Sequence, residues 1–302
     1  MFRFRDVFRK TPARLVPPLA LAPDRAAWDA FLASPPGQAI FLLERELLRQ
    51  HARDSEWTLE GYSRPARQTV AFAVDQLWGG REENGVLLPN LRERLVCPVT
   101  QLNNRQRLMA SLIEEAVEQG RAPKTLYFME EVTPIFAWSQ ANLRNVAAIH
   151  GSEYLGPDYP SGTVINGLHH EDIHALSFAS DMFDLIVSNE VFEHIPSPPA
   201  AFRECHRVLK RDGEMIMTTP FFPTRDASIR RADIGPEGIV HLLPPMFHGN
   251  PVSEEGSLVF YDFGWDILDM AREAGFSRSV VEIHHAPEFG HLTVQPVFRF
   301  RK

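Results

Sequence analysis

The chain has 302 residues, 44% hydrophobic and 23% charged, with 31 Lys and Arg against 39 Asp and Glu for a formal net charge of −8. That length suits one large domain plus a small one, and the acidic balance argues against nucleic acid and anionic membranes as partners, since both select basic surfaces. No run is long enough for a membrane span, no signal peptide is evident, and two cysteines, Cys97 and Cys205, are too few for a disulfide framework, so a cytoplasmic protein is expected.

The first ten residues set Arg3, Arg5, Arg9 and Lys10 among Phe2, Phe4 and Phe8. Such an arm could meet a membrane or a second copy of the chain, which would make a homodimer through the N-terminal region; a frayed terminus is the simpler account. Helices are expected at 24–33 and 38–53, split by Pro35-Pro36-Gly37, giving a helical arm over 1–55. From 56 to 105 the chain is rich in Gly, Asn and Pro. It reads as a small β-rich unit with strands at 68–74 and 91–96 and Tyr62, Phe72, Val74 and Trp78 in its core. A helix over 106–119 opens the third region, 106–302.

In that region 125–129 reads as a buried strand, followed by Glu130-Glu131-Val132-Thr133-Pro134 where a glycine-rich turn would let a cofactor approach the backbone. Thr133 suits an N-cap and Pro134 the first helical position. A helix N-terminus receives carboxylates, and Glu130 or Glu131 could face an ammonium. A second strand at 146–150 leads to Glu153, whose two oxygens match a pair of ribose hydroxyls. His169, His170 and His174 follow, but the first two are adjacent and no helix carries HExxH, so no metal site is expected.

Residues 183–221, FDLIVSNEVFEHIPSPPAAFRECHRVLKRDGEMIMTTPF, read as strand, loop, helix, turn and strand. Phe202, Cys205, Val208 and Leu209 recur at helical spacing over 200–209, Asp212-Gly213 makes the turn, and Met215 begins the second strand. Ligands of open α/β sheets bind outside the carboxyl ends of strands, which places Ser188, Asn189, Glu190, Glu193 and His194 at a small-molecule site. An insertion at 221–261, too long for an ordinary connection, suits a cover over that site. His241 and His248 join His194 as candidate bases. Glu190, Phe221, Arg225 and Phe247 are candidate acceptor contacts, Arg225 for an acidic group and the phenylalanines for an apolar wall. A helix at 262–274 and strands at 279–285 and 292–300 close the chain.

FDLIVSNEVFEHIP, its helix, VLKRDGEMIMTTP and the closing hairpin resemble the second half of a class I S-adenosylmethionine-dependent methyltransferase domain, in the type 11-like branch, across roughly residues 124–302. The resemblance implies an α/β, Rossmann-like fold: a mostly parallel seven-stranded sheet with helices on both faces. It implies S-adenosylmethionine as cofactor, leaving as S-adenosylhomocysteine, and a small-molecule acceptor methylated on oxygen, nitrogen or carbon. Members of the branch also show a Glu-x-Val-Thr-Pro turn, which implies cofactor contacts from Glu130, Glu131 and Thr133. Asp172 would accept from the adenine amino group, Ile173 would pack on the ring, and Ser188 and Asn189 would lie beside the cofactor. In relatives of this branch GYCxxC and CPxC turns resemble a zinc ribbon. Here GYSRPA and CPVT leave Ser63, Ala66 and Thr100 with Cys97, a degenerate ribbon expected to hold no zinc. The alternative functions are another reaction that uses the same cofactor, or a catalytically inactive binding or structural member of the fold.

Overall fold

The computed structural model describes residues 17–83, 85–119 and 122–302; the basic, aromatic arm of the first ten residues lies outside them. Among the described residues no helix is long and apolar enough to cross a membrane. They form two compact units, one built mainly from 27–119 with 282–296, the other from 122–281 with 22–26 and 297–302.

The first unit begins with helices α1 (Arg25–Ala33, its first two residues counted with the other unit) and α2 (Pro35–Gln50). Pro35 and Pro36 take the first turn of α2, and Ser34 caps it, accepting from the Gly37 amide. A Cβ on Gly37 would lie 2.3 Å from the Phe31 carbonyl oxygen, so the close approach of the two helices requires glycine. Strands β1 (Trp57–Ser63) and β2 (Gln68–Val74) pair as a hairpin whose buried face, including Leu59, Phe72 and Val74, packs on Leu47 and Leu48 of α2. The strand expected at 91–96 is instead a turn: Asn90 accepts from the amides of Glu93 and Arg94 through its carbonyl and of Arg92 through its side chain, leaving one bridge between Val96 and Ala73. Trp78, expected in the core, is 69% exposed with φ 63.

Ser63, Ala66, Cys97 and Thr100 do come together. Burial alone would raise the Cys97 thiol, but hydrogen bonds from the Ser63 and Thr100 hydroxyls and the Val99 and Thr100 amides hold it below its usual value. Ser63 also accepts from the Ala66 amide, and Ala66 packs against the apolar core. Among the described residues of this unit no group of His, Cys, Asp and Glu is gathered closely enough to hold an ion. Helix α3 (Asn104–Glu118) starts at a capping box of Asn103 and Gln106. Its Arg107 is fully buried, donating to the Phe289 and Gly290 carbonyls at 2.7 and 2.9 Å and lying 3.7 Å over the Phe72 ring.

The second unit contains β3 (Lys124–Phe128), α4 (Pro134–Asn142), β4 (Val146–Gly151), β5 (Phe183–Asn189), α5 (Pro198–Val208), β6 (Leu209–Thr218) and α6 (Ile267–Glu273). Strands β7 (Arg278–Ala286) and β8 (His291–Arg301), whose residues 282–286 and 291–296 count with the first unit, complete the sheet in the order β7-β8-β6-β5-β3-β4, with the short strand Ala20–Ala22 beside β7. β4, β3, β5 and β6 run parallel, and β8 is antiparallel to β6. The parallel core strands read as apolar runs because both faces are covered: Leu126–Phe128, Leu185–Val187 and Met215–Met217 are all buried. Pro198 and Pro199 sit inside the first turn of α5, which therefore starts two residues before the expected helix. The insertion is three antiparallel pairs: 229–230 with 261–262, 232–235 with 238–241, and 247–250 with 253–258. This mixed sheet flanked by helices is an α/β, Rossmann-like fold.

Candidate functional site

The loop after β3 solves its missing glycines without strain. Residues 130–133 all keep negative φ, and Glu153 Oε1, reaching across from the end of β4, accepts from the amides of Glu131 at 2.9 Å and Val132 at 3.1 Å. The tight approach is moved to the neighbouring strand end, where a Cβ on Gly151 would fall 2.6 Å from both Glu131 Cβ and the Phe136 ring. Burial pushes the Glu153 carboxyl up, partly offset by the two amides. Both amides use one oxygen, which leaves Oε2 for a hydroxyl.

Glu130 is buried at the end of β3 and accepts from the Asn189 side chain and, at 3.4 Å, its amide, tying the ends of β3 and β5 together. Glu131 turns the other way: its carboxylate takes the His169 amide and lies 3.0 Å from His169 Nδ1, on the hairpin of Thr163–Ile165 and Leu168–His170. Thr133 caps α4, accepting from the Phe136 amide. Asp172 Oδ1 accepts from the His174 amide at 2.9 Å and lies 2.7 Å from its Nδ1, and His174 holds the Asp172 carboxyl below its usual value; Ile173 beside it is half-buried. Ser188 Oγ and Asn189 Oδ1, at the carboxyl end of β5, are buried and have no hydrogen-bond partner. Buried polar atoms are almost always satisfied, so these two mark where a ligand's donors would go.

Beyond β5 the chain folds back at Glu190, φ 54, whose amide donates to the Thr218 carbonyl. A single turn, Phe192–His194, then buries Glu193 completely. Glu193 Oε2 accepts from Thr219 Oγ1 at 2.9 Å, and its carbonyl from the Phe260 amide at 2.7 Å. Its Oε1 lies 3.6 Å from His194 Nε2 and 3.6 Å from His248 Nδ1, ion-pair distances just beyond a hydrogen bond, and accepts no hydrogen bond. His194 Nδ1 is 2.8 Å from the Leu258 carbonyl oxygen, and the two imidazoles stand perpendicular with centroids 5.1 Å apart. The Glu193 carboxylate, with weaker help from Glu190 and Asp262, pushes His248 above its usual value.

Of the three candidate bases, His194 and His248 therefore meet around Glu193, whereas His241 is exposed on the hairpin 238–241. Arg225 pairs with Asp262 at 3.3 Å, a carboxylate oxygen it shares with Arg231 at 2.9 Å, and lies over the Phe222 ring. Phe221 is half-buried, edge-on to Trp265 and Phe298, and Phe247 next to His248 is 53% exposed. Glu193 stood in the polar cluster read from the sequence without a role. Its position in an acid–histidine pair just past a central strand was the available signal.

A family model described as a methyltransferase domain matches residues 138–217. Over 107 residues the chain is 35% identical to a ubiquinone biosynthesis O-methyltransferase of Xanthomonas oryzae pv. oryzae, covering 35% of this chain and 41% of that one. Over 77 residues it is 43% identical to the biotin biosynthesis bifunctional protein BioHC of Saccharophagus degradans, covering 24% of this chain and 14% of that one. The chain thus spans less than half the length of either relative. A solved S-adenosylmethionine-dependent methyltransferase from Mesorhizobium loti is 16% identical with a TM-score of 0.37, covering 63% of this chain and 96% of that one. The family match lies across β4, β5 and β6, so this part of the chain is similar to a methyltransferase domain.

Proposed function

We propose that the chain transfers the methyl group of S-adenosylmethionine to a small-molecule acceptor, with oxygen as the methylated atom. The observation that carries this reading is the convergence of Glu153, the Glu130–Asn189 pair and the orphaned Ser188 and Asn189 oxygens at the carboxyl ends of β4, β3 and β5. These groups fit the cofactor's parts. Glu153 Oε2 suits the ribose hydroxyls, Glu130 and the Asn189 oxygen suit the ammonium, and the start of α4 suits the carboxylate. Asp172 and Ile173 would meet the adenine. The likeness to an O-methyltransferase favours oxygen over nitrogen or carbon.

The bound sulfonium supplies an already activated methyl group. What remains for the chain is to align the acceptor atom with that methyl, keep water out and provide for the acceptor's proton. Glu193, His194 and His248 form the acceptor side, with the half-exposed Phe247 beside them as a contact for the acceptor's apolar part. The test is product analysis of the full-length chain incubated with S-adenosylmethionine and a panel of hydroxylated small molecules. Mass spectrometry should find S-adenosylhomocysteine in step with an acceptor heavier by one methyl replacing hydrogen. S-adenosylhomocysteine formed without a methylated acceptor, or no turnover although the cofactor binds, would overturn it.

A further inference from the structure

Among the described residues one group of His, Cys, Asp and Glu is gathered as metal ligands are: Glu193, His194 and His248, whose ligand atoms all lie within 4.8 Å of one another. We propose that these three hold a divalent transition-metal ion, and that the acceptor is a chelating hydroxyl compound that binds the ion through the oxygen to be methylated. The second clause rests on the reading above that this face receives the acceptor; the metal site itself does not.

Three observations lead here. First, the spacing suits a shared ion. Zinc-type bonds of about 2.0–2.2 Å give ligand-to-ligand edges of roughly 3.3–3.6 Å in a tetrahedron, and Glu193 Oε1 is 3.6 Å from each imidazole nitrogen. Second, the orientation of His194 is set. Nδ1 faces the Leu258 carbonyl oxygen at 2.8 Å, which can only accept, so Nδ1 carries a proton and Nε2 is the ring nitrogen turned toward Glu193. Ligating histidines are oriented by this kind of outer hydrogen bond. Third, Glu193 is fully buried with Oε2 fixed by Thr219 and Oε1 accepting no hydrogen bond. A fully buried carboxylate oxygen draws positive charge to itself, which an ion shared with the two imidazoles would supply.

Two imidazoles and one carboxylate select zinc, iron, cobalt or manganese over magnesium and calcium, which prefer all-oxygen sets. Three protein ligands leave open positions for the acceptor. There the acceptor's hydroxyl would lose its proton to water at neutral pH. The resulting oxygen anion would then attack the methyl carbon. An O–C bond forms as the C–S bond breaks, and the sulfur keeps the electron pair and leaves as a neutral thioether.

The test uses the full-length chain without a histidine tag, stripped by chelator and then titrated with Co²⁺ alone, a colour-reporting ion for this ligand set. Calorimetry, metal analysis after gel filtration and visible absorption should agree on one ion per chain. His248→Ala should weaken Co²⁺ binding by at least about tenfold, and Glu193→Gln should do the same, while His241→Ala leaves it unchanged. Unaltered circular dichroism and S-adenosylhomocysteine affinity in His248→Ala would show that the variant is folded. Uptake far below one ion per chain, or equal affinity in wild type and His248→Ala, would overturn the proposal and leave a protonated histidine paired with Glu193. S-adenosylhomocysteine binding without metal uptake would sink the metal alone; metal uptake without S-adenosylhomocysteine binding would sink only the cofactor reading.

Discussion

The loops after β3 and β5 leave the sheet side by side and are stabilised in opposite ways. In the first, Glu153 satisfies two backbone amides and Glu131 is taken up by His169, so the polar groups are matched mainly by neighbours from the next strand and hairpin. In the second, Ser188 Oγ, Asn189 Oδ1 and Glu193 Oε1 are buried without hydrogen bonds, and the loop is held by contacts from the distant insertion, through Leu258 and Phe260. A loop whose polar groups are satisfied internally is a scaffold. One that keeps buried oxygens unsatisfied is ready for something outside the chain.

The largest effect should come from the second loop. Glu193→Ala should lower single-turnover methyl transfer by about 10²–10⁴-fold, with S-adenosylhomocysteine affinity nearly unchanged, because the residue serves only the acceptor. If cofactor affinity falls as steeply as turnover, the two loops are not separable.

Next is Glu153→Ala, which should weaken S-adenosylhomocysteine binding by about 1.5–3 kcal/mol and release the Glu131 and Val132 amides. Glu153→Gln should lose less, since its amide oxygen still accepts from both. The carboxyl is raised by burial, so cofactor affinity should be full at neutral pH and fall as pH drops through that raised value. Calorimetry across pH would show this, and the Gln variant should lack the acidic decline.

Gly151→Ala should be smaller, costing about 1–3 kcal/mol in thermal stability, because its Cβ meets Phe136 and the Glu131 side chain. Wild-type stability in that variant would mean that the β3 loop is not held tightly against β4. Smallest of all is His241→Ala, with turnover within about twofold of wild type, as expected for an exposed hairpin residue. A loss comparable to that of Glu193→Ala would return His241 to the acceptor side.

The sheet was legible in the sequence because buried parallel strands are written as apolar runs: Leu185–Val187 and Met215–Met217 fall where they were expected. The position of Glu153 just past the second strand was legible too. Its use of one oxygen to hold the glycine-free loop was not, because that depends on where two amides of another strand's loop point. The candidate site was half legible. His194 and His248 were each read as titratable groups, but their meeting at Glu193 depends on the β-pairing of 247–250 with 253–258, which Gly-, Ser- and Glu-rich residues do not announce by periodicity. In the sequence the histidines cluster at His169, His170 and His174, whereas the ligand-like cluster in space joins residues from two elements. Trp78 was placed in the core on its hydrophobicity alone, while its backbone turns it outward.

The central claim is that the ends of β3, β4 and β5 bind the adenosyl cofactor without a glycine-rich loop. Calorimetric titration of the full-length chain with S-adenosylhomocysteine tests it most directly. The account predicts saturable binding at one site per chain, weakened in Glu153→Ala and unaffected in His241→Ala. No saturable heat, or the same dissociation constant in Glu153→Ala as in the wild type, would contradict it.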